Sequence, residues 1–268
     1  MNRIDAAFDR ARAEGRAALI VFVTAGDPDL ETTAELVPEL AAGGADVIEL
    51  GLPHSDAIGD GPTIQAASLR ALRGGVTPAQ IFELSRRLRE VSEVPLVLMG
   101  YANNILARGE EPFIESCAAA GIDGLIAVDL PYEEAPVLAA ACAAKGVHPI
   151  LLVTPTSPPE RVLRVAQRAA GFLYCVSVTG VTGARKQLPT DLRALVGRIQ
   201  RVSALPVCVG FGVSTPEQAG QVARFADGVI VGSELVQRVH AAGSRAEGIA
   251  AAGSFVRELS RAVRSARD

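Results

Sequence analysis

The chain has 268 residues, of which 49% are hydrophobic, 21% charged and only 4% aromatic, with 26 glycines. This is the profile of a globular protein with many tight turns, and it excludes a disordered chain. The formal net charge of -4 and a pI near 5.5 offer no broad basic field for nucleic acid or an anionic membrane, so a small molecule or another protein is the expected partner.

An N-terminal helix is expected first, followed by an alternation of β-branched runs with longer Ala-, Leu- and Arg-rich segments of helical periodicity. Eight candidate strands follow in order: 18–26, 46–51, 94–100, 123–129, 147–153, 171–177, 205–211 and 227–232. Helical segments lie between them, for example at 30–45, 134–146 and 159–171. Those in "AAKG" and "RAAG" close on a glycine suited to a helix C-cap. Strands that are apolar on both faces imply parallel pairing under a cover of helices. Eight such units without a linker favour one (βα)8 barrel of the TIM class over residues 1–268. In this reading a short phosphate-binding helix follows the eighth strand. A doubly wound sheet is the alternative, because periodicity does not show closure.

The four cysteines, Cys117, Cys142, Cys175 and Cys208, lack C-x-x-C spacing and lie in apolar runs, as reduced core residues do. The apolar run "ALIVFV" is too short for a signal segment. No stretch approaches the roughly 20 apolar residues of a membrane helix, and a cytoplasmic location is expected.

In this fold class, chemistry sits at the C-terminal ends of the strands. That rule selects Glu49, Asp60, Asp129, the stretch 179–185, the stretch 210–214, Gly232 and Ser233. In "DVIELG" the strand period puts Val47 and Glu49 on one face and Ile48 and Leu50 on the other. If the latter pair meets the helices, Glu49 points into the barrel mouth, where desolvation raises a carboxyl pKa towards the range useful for acid/base work. The other reading is that Glu49 tethers a loop through a basic residue, but no Lys or Arg occurs in the next twenty positions. Asp60, in "IGDGP", reads equally well as turn or N-cap chemistry. His54 is the only histidine near these acids, which makes a metal site improbable.

Gly-rich turns follow the last three strands: "TGVTGAR", "GFGVST" and "VGSELV". Glycines let backbone N–H groups approach an anion, and a helix start adds its dipole. Any barrel needs glycine in tight turns, but two such turns after strands 7 and 8 match the usual phosphate position of the fold. The stretch "TGVTGARKQLP" is long enough to act as a lid.

Taken in order, "FVTAGDPD", "GADVIELGLPHSDAIGDGPTIQAAS", "GVTP", "YAN", "VDLPYEE", "SVTGVTGAR", "GFGVSTPEQ" and "GVIVGSELV" resemble the tryptophan synthase alpha chain family over essentially the whole length. The resemblance implies retro-aldol cleavage of indole-3-glycerol phosphate to indole and glyceraldehyde 3-phosphate. It implies that Glu49 is the general acid/base and that Asp60 holds the indole N–H. Tyr174 would arrange Glu49 and the glycerol chain, with Phe22, Val128 and Leu152 around the indole. Gly183, Phe211, Gly212, Gly232 and Ser233 would hold the phosphate, and Thr182 would close on Asp60. The resemblance implies no cofactor and no metal for this chain. It implies a beta subunit as partner in an alpha2beta2 tetramer, which receives the indole for L-tryptophan synthesis. His54, Ala57 and Asn104 depart from the residues many relatives carry at those positions. A stand-alone lyase and a non-catalytic, phosphate-binding regulatory subunit are the alternative functions.

Overall fold

A computed structural model describes residues 1–176, 191–210 and 212–267. Its strand segments are β1 (Ala18–Thr24), β2 (Val47–Gly51), β3 (Leu96–Gly100), β4 (Gly124–Ala127), β5 (His148–Pro149), β6 (Leu151–Val153), β7 (Leu173–Val176), β8 (Val207–Gly210) and β9 (Gly228–Val231). All pair in parallel, in the order β5-β4-β3-β2-β1-β9-β8-β7-β6. The two ends of that order, β5 and β6, are consecutive pieces of one strand separated only by Ile150. The sheet therefore closes on itself as the expected barrel, which settles the alternative of an open doubly wound sheet. The run at 147–153 is one strand in sequence and two in space.

Alternation along the strands sorts side chains into two apolar clusters. Ala18, Ile20, Phe22, Val47, Val97, Ile126 and Ile230 fill the barrel interior. Leu19, Val21, Ile48, Leu50, Leu98 and Val229 face outward into the helix layer. The helix α1 (Arg3–Ala13) closes the end of the barrel away from the strands' C-termini. Its Ile4, Ala7, Phe8 and Ala11 belong to the interior cluster, with the Phe8 ring 5.5 Å from that of Phe172. Asn2 caps α1 by accepting from the Ile4 N–H at 2.8 Å, and its amide donates to the Asp123 and Gly146 carbonyls, which ties the plug to the wall.

The same end carries a repeated latch. Asp46, Asp123 and Asp227 each stand just before a strand, and each carboxylate accepts a backbone N–H from the preceding strand or the residue that opens it: Leu19, Leu96 and Val207, all at 2.9 Å. Each aspartate's own N–H returns a bond to the carbonyl of that same residue. Arg16 forks onto Asp46 at 2.7 and 2.9 Å, and both side chains are buried.

The outer layer includes α2 (Leu30–Ala42), α3 (Pro62–Arg73), α4 (Pro78–Val91), α5 (Ala102–Leu106), α6 (Glu110–Ala119), α7 (Pro136–Lys145), α8 (Pro159–Ala166), α9 (Leu192–Gln200), α10 (Pro216–Ala223), α11 (Ser233–Ala241) and α12 (Arg245–Arg264). Gly146 caps α7 in the left-handed conformation, as its place in the sequence suggests. Gly171 does not cap α8. That helix stops at Ala166, and residues 167–170 carry the chain back to the sheet, where the Ala170 N–H bonds the Pro149 carbonyl.

Candidate active site

Glu49 lies on β2, beside Phe22 of β1 in the register of the two strands. Val47 is in the interior cluster, and Ile48 and Leu50 are in the helix-facing one. The carboxyl therefore enters the barrel interior, as the strand period requires. It is 1% exposed, and neither oxygen has a hydrogen-bond partner among the described residues. The first basic residue after it, Arg70, forks onto Asp27 at 2.7 and 2.8 Å instead. Among the described residues no cation offsets the loss of water, and burial pushes the Glu49 pKa up to about 8. A buried acid without a partner is costly to a fold, which marks it as a group kept for chemistry.

Asp60 is also buried, at the end of the loop between β2 and α3. It is not the N-cap of α3: Gly61 holds that position and Pro62 begins the helix. The carboxylate accepts the Tyr101 hydroxyl at 3.0 Å, and the same hydroxyl accepts the Gly59 N–H at 3.0 Å. Burial raises the Asp60 pKa to about 6, while the Tyr101 hydrogen bond pulls the other way. Tyr101 is the site residue that sequence reasoning leaves out. It directly follows β3, so the rule that selects residues at strand C-termini would have found it. Its ring stacks on His54 with centroids 4.8 Å apart, and its N–H donates to the Asn104 side chain. Two of the three positions where the sequence departs from many relatives thus hold one tyrosine.

Tyr174, on β7, also belongs to the interior cluster. Burial drives its pKa well above the ordinary value, and the charges of Glu49 and Asp60 add to that, so both carboxyls lie within its electrostatic reach. Its ring occupies the space over Gly210, where an added Cβ would collide with the hydroxyl. Phe22 similarly fills the space over Gly51 and borders Gly232, while Val128 lies against Gly59. Leu152 pairs with Tyr174 in register, and Val128 and Leu152 both pack on the interior cluster. Phe22, Glu49, Asp60, Tyr101, Val128, Leu152 and Tyr174 therefore surround one apolar mouth holding two carboxyls.

At the strand ends beyond this ring, Gly212 has φ 95°, a left-handed value that glycine adopts without strain. The helix after it, α10, is capped internally by Thr215, and Gln218 accepts from the Ser214 N–H. By contrast α11 begins at Ser233 with Gly232 as its N-cap and no side-chain cap. Its first-turn N–H groups have no intrahelical acceptors, and an anion satisfies such donors. Thr182 and Gly183 with the rest of the expected lid, and separately Phe211, lie outside the described residues. Asp129, also singled out at a strand end, is exposed and accepts the Ala102 N–H at 2.6 Å, which caps α5. Among the described residues, no group of three or more His, Cys, Asp or Glu side chains could hold a metal ion, and no helix is long and apolar enough to cross a membrane.

Known proteins are similar to this one over nearly the whole chain. A family model described as tryptophan synthase alpha chain matches residues 8–264. The tryptophan synthase alpha chain of Citrifermentans bemidjiense is 54% identical over 237 residues, covering 88% of this chain and 89% of the relative. That of Gloeobacter violaceus is 49% identical over 262 residues, covering 97% and 95%. A solved structure of Mycobacterium tuberculosis tryptophan synthase is similar with a TM-score of 0.90 at 39% identity, covering 98% of both chains.

Proposed function

Because the chain belongs to the tryptophan synthase alpha chain family, which cleaves indole-3-glycerol phosphate to indole and glyceraldehyde 3-phosphate, we propose that Glu49 and Asp60 divide that reaction between a neutral and an ionised carboxyl. The observation that carries this reading is the difference between their environments. At neutral pH Glu49, with a pKa near 8, holds its proton, and Asp60, near 6, has lost it. Two carboxyls whose surroundings set their pKa values apart can take separate acid and base roles.

The substrate's indole ring lies between Phe22, Val128 and Leu152, with its N–H on the Asp60 carboxylate. Glu49 delivers its proton to indole C3, and the positive charge that develops on the ring is stabilised by Asp60. The glycerol hydroxyl on the carbon attached to C3 then loses its proton to the Glu49 carboxylate. That O–H electron pair becomes the aldehyde C=O, and the C–C bond electrons return to the ring. Indole leaves with the proton at C3, and Glu49 ends protonated as it began. Tyr174 orients Glu49 and the glycerol chain. Gly212, Gly232 and Ser233 hold the phosphate through backbone N–H groups and the α11 dipole; for Gly183 and Phe211 at the phosphate, and for Thr182 as the partner of Asp60, the support is the family resemblance alone.

The test is the pH profile of indole release from indole-3-glycerol phosphate. The expected kcat/KM falls below about pH 6 as Asp60 protonates and above about pH 8 as Glu49 ionises. Glu49→Gln removes turnover while substrate binding persists, because an amide cannot carry the proton. Turnover retained in Glu49→Gln would show that Glu49 has another role. We assign the chain a beta subunit partner in an alpha2beta2 tetramer in the cytoplasm. Exposed Ile58, in the loop that ends at Asp60, offers an apolar contact beside the site. Gel filtration with a beta subunit distinguishes this assembly from a stand-alone lyase.

A further inference from the structure

The barrel wall is not uniformly bonded around its circumference. β4 follows β3 from Val97↔Gly124 to Gly100↔Ala127, and the Val128 N–H continues to the Gly100 carbonyl. On its other side β4 pairs only as far as Gly124↔His148 and Leu125↔Pro149, with one more bond from the Ile150 N–H to the Leu125 carbonyl. From Leu151 the strand pairs with β7 alone. Among the described residues, no ladder joins 126–128 to 151–153, so the wall is open there over its C-terminal half.

That opening leads into two cavities. One, of about 280 Å³, is bordered by Val128 and Leu152 on the barrel side and by Leu130, Tyr132, Arg161 and Val165 outside. At about 10–15 Å³ per water, it has room for far more than a few water molecules. The other, about 40 Å³, lies beneath it against Leu125, Leu138, Cys142 and Ile150. Ala127, Leu130, Leu151 and Tyr132 border both. The Tyr132 ring carries two guanidinium groups, Arg161 at 5.5 Å and Arg168 at 5.0 Å from its centroid, and Glu133 holds Arg161 by a bidentate pair. Aliphatic side chains beside an aromatic face and planar cations, with the Asp129 carboxylate at the border of the larger cavity as an acceptor, suit a flat, neutral, electron-rich ring that bears an N–H.

We propose that this opening between β4 and β6 is a second site for a free neutral aromatic ring of the indole type, separated from the catalytic pocket by the side chains of Val128 and Leu152. The inference rests on the reading of those two residues as the wall of the catalytic indole pocket. The two guanidinium groups there are balanced by Glu133, which forks onto Arg161, and by Asp129 at the border of the larger cavity, so the site carries no net positive charge for a phosphate. The ligand is therefore the cleaved product rather than the substrate.

The experiment uses 5-fluoroindole as the probe, followed by fluorine NMR with the full-length chain. The catalytic pocket is filled with indole-3-propanol phosphate, a substrate analogue without the hydroxyl needed for cleavage. The expected result is bound 5-fluoroindole that persists when the analogue is saturating. In Val165→Phe, which fills the cleft, and in Tyr132→Ala, which removes the ring, that persisting fraction binds about fivefold or more weakly, on the scale of one lost aromatic contact. Complete displacement by the analogue would overturn the second site and leave the catalytic reading intact. Persistent binding unaffected in either folded variant would overturn the location. If the analogue displaces no probe at all, the catalytic reading of Val128 and Leu152 fails, and this inference fails with it.

Discussion

Glu49 is held at the mouth of the barrel at a cost to the fold. Its carboxyl is favoured neutral in the folded chain and ionised in the unfolded chain from about pH 4.5 upward, so the native state binds the extra proton between 4.5 and about 8. Stability associated with this group is complete below pH 4.5 and is lost as the pH rises to 8. Moving its pKa from 4.5 to about 8 corresponds to roughly 5 kcal/mol as an order of magnitude. Glu49→Gln is accordingly expected to stabilise the protein by a few kcal/mol at pH 8 and to do little at pH 4.5. Urea unfolding of both proteins at the two pH values checks this. Tyr101→Phe acts on the other carboxyl: without the hydroxyl, the downward pull on Asp60 is gone, so the acid limb of the kcat/KM profile moves to higher pH while the alkaline limb stays. An acid limb that did not move would show that Tyr101 does not tune Asp60. Glu49 was legible in the sequence because the two-residue strand period alone turns it inward. Asp60 was not, because "IGDGP" is equally good turn chemistry and its partner, Tyr101, lies 41 positions away.

Strand elements were legible for the same reason that they are stable: both faces are apolar, one filling the barrel and one meeting the helices. The break in the fifth strand was not, since "VHPILLV" reads as a single run. Its physical sign is Pro149, which has no N–H to give to a ladder. The latches are the elements' main polar ties at the closed end. Asp46→Ala leaves the buried Arg16 guanidinium facing Glu14 without its forked partner and removes the acceptor of the Leu19 N–H. A loss of about 3–5 kcal/mol is expected, as for breaking a buried pair from one side. Denaturant midpoints measure it, and Asp9→Ala, which removes an exposed ion pair with Arg12, serves as the near-neutral control.

For the molecule as a whole, α1 is the floor of the barrel. Deleting residues 1–13 would uncover Phe172 and remove four side chains from the interior cluster. The expected product is an expanded state that binds a hydrophobic dye and has lost its cooperative thermal transition. Calorimetry with dye fluorescence tests that expectation. Closure of the sheet and the position of the floor followed from tertiary packing, which no local window of sequence contains.

The aspartate latches also say something about how the chain is divided. Each ties a strand to the one just before it in sequence: β2 to β1, β4 to β3, and β9 to β8. Among the described residues none ties β3 to β2, and none spans the opening beside β4. Six of the nine strand segments thus form three βαβ pairs that carry their fastenings inside themselves. A cut in the connection between β2 and β3, or between β4 and β5, severs no latch, which makes these the places where such a barrel can be nicked, permuted or exchanged as modules.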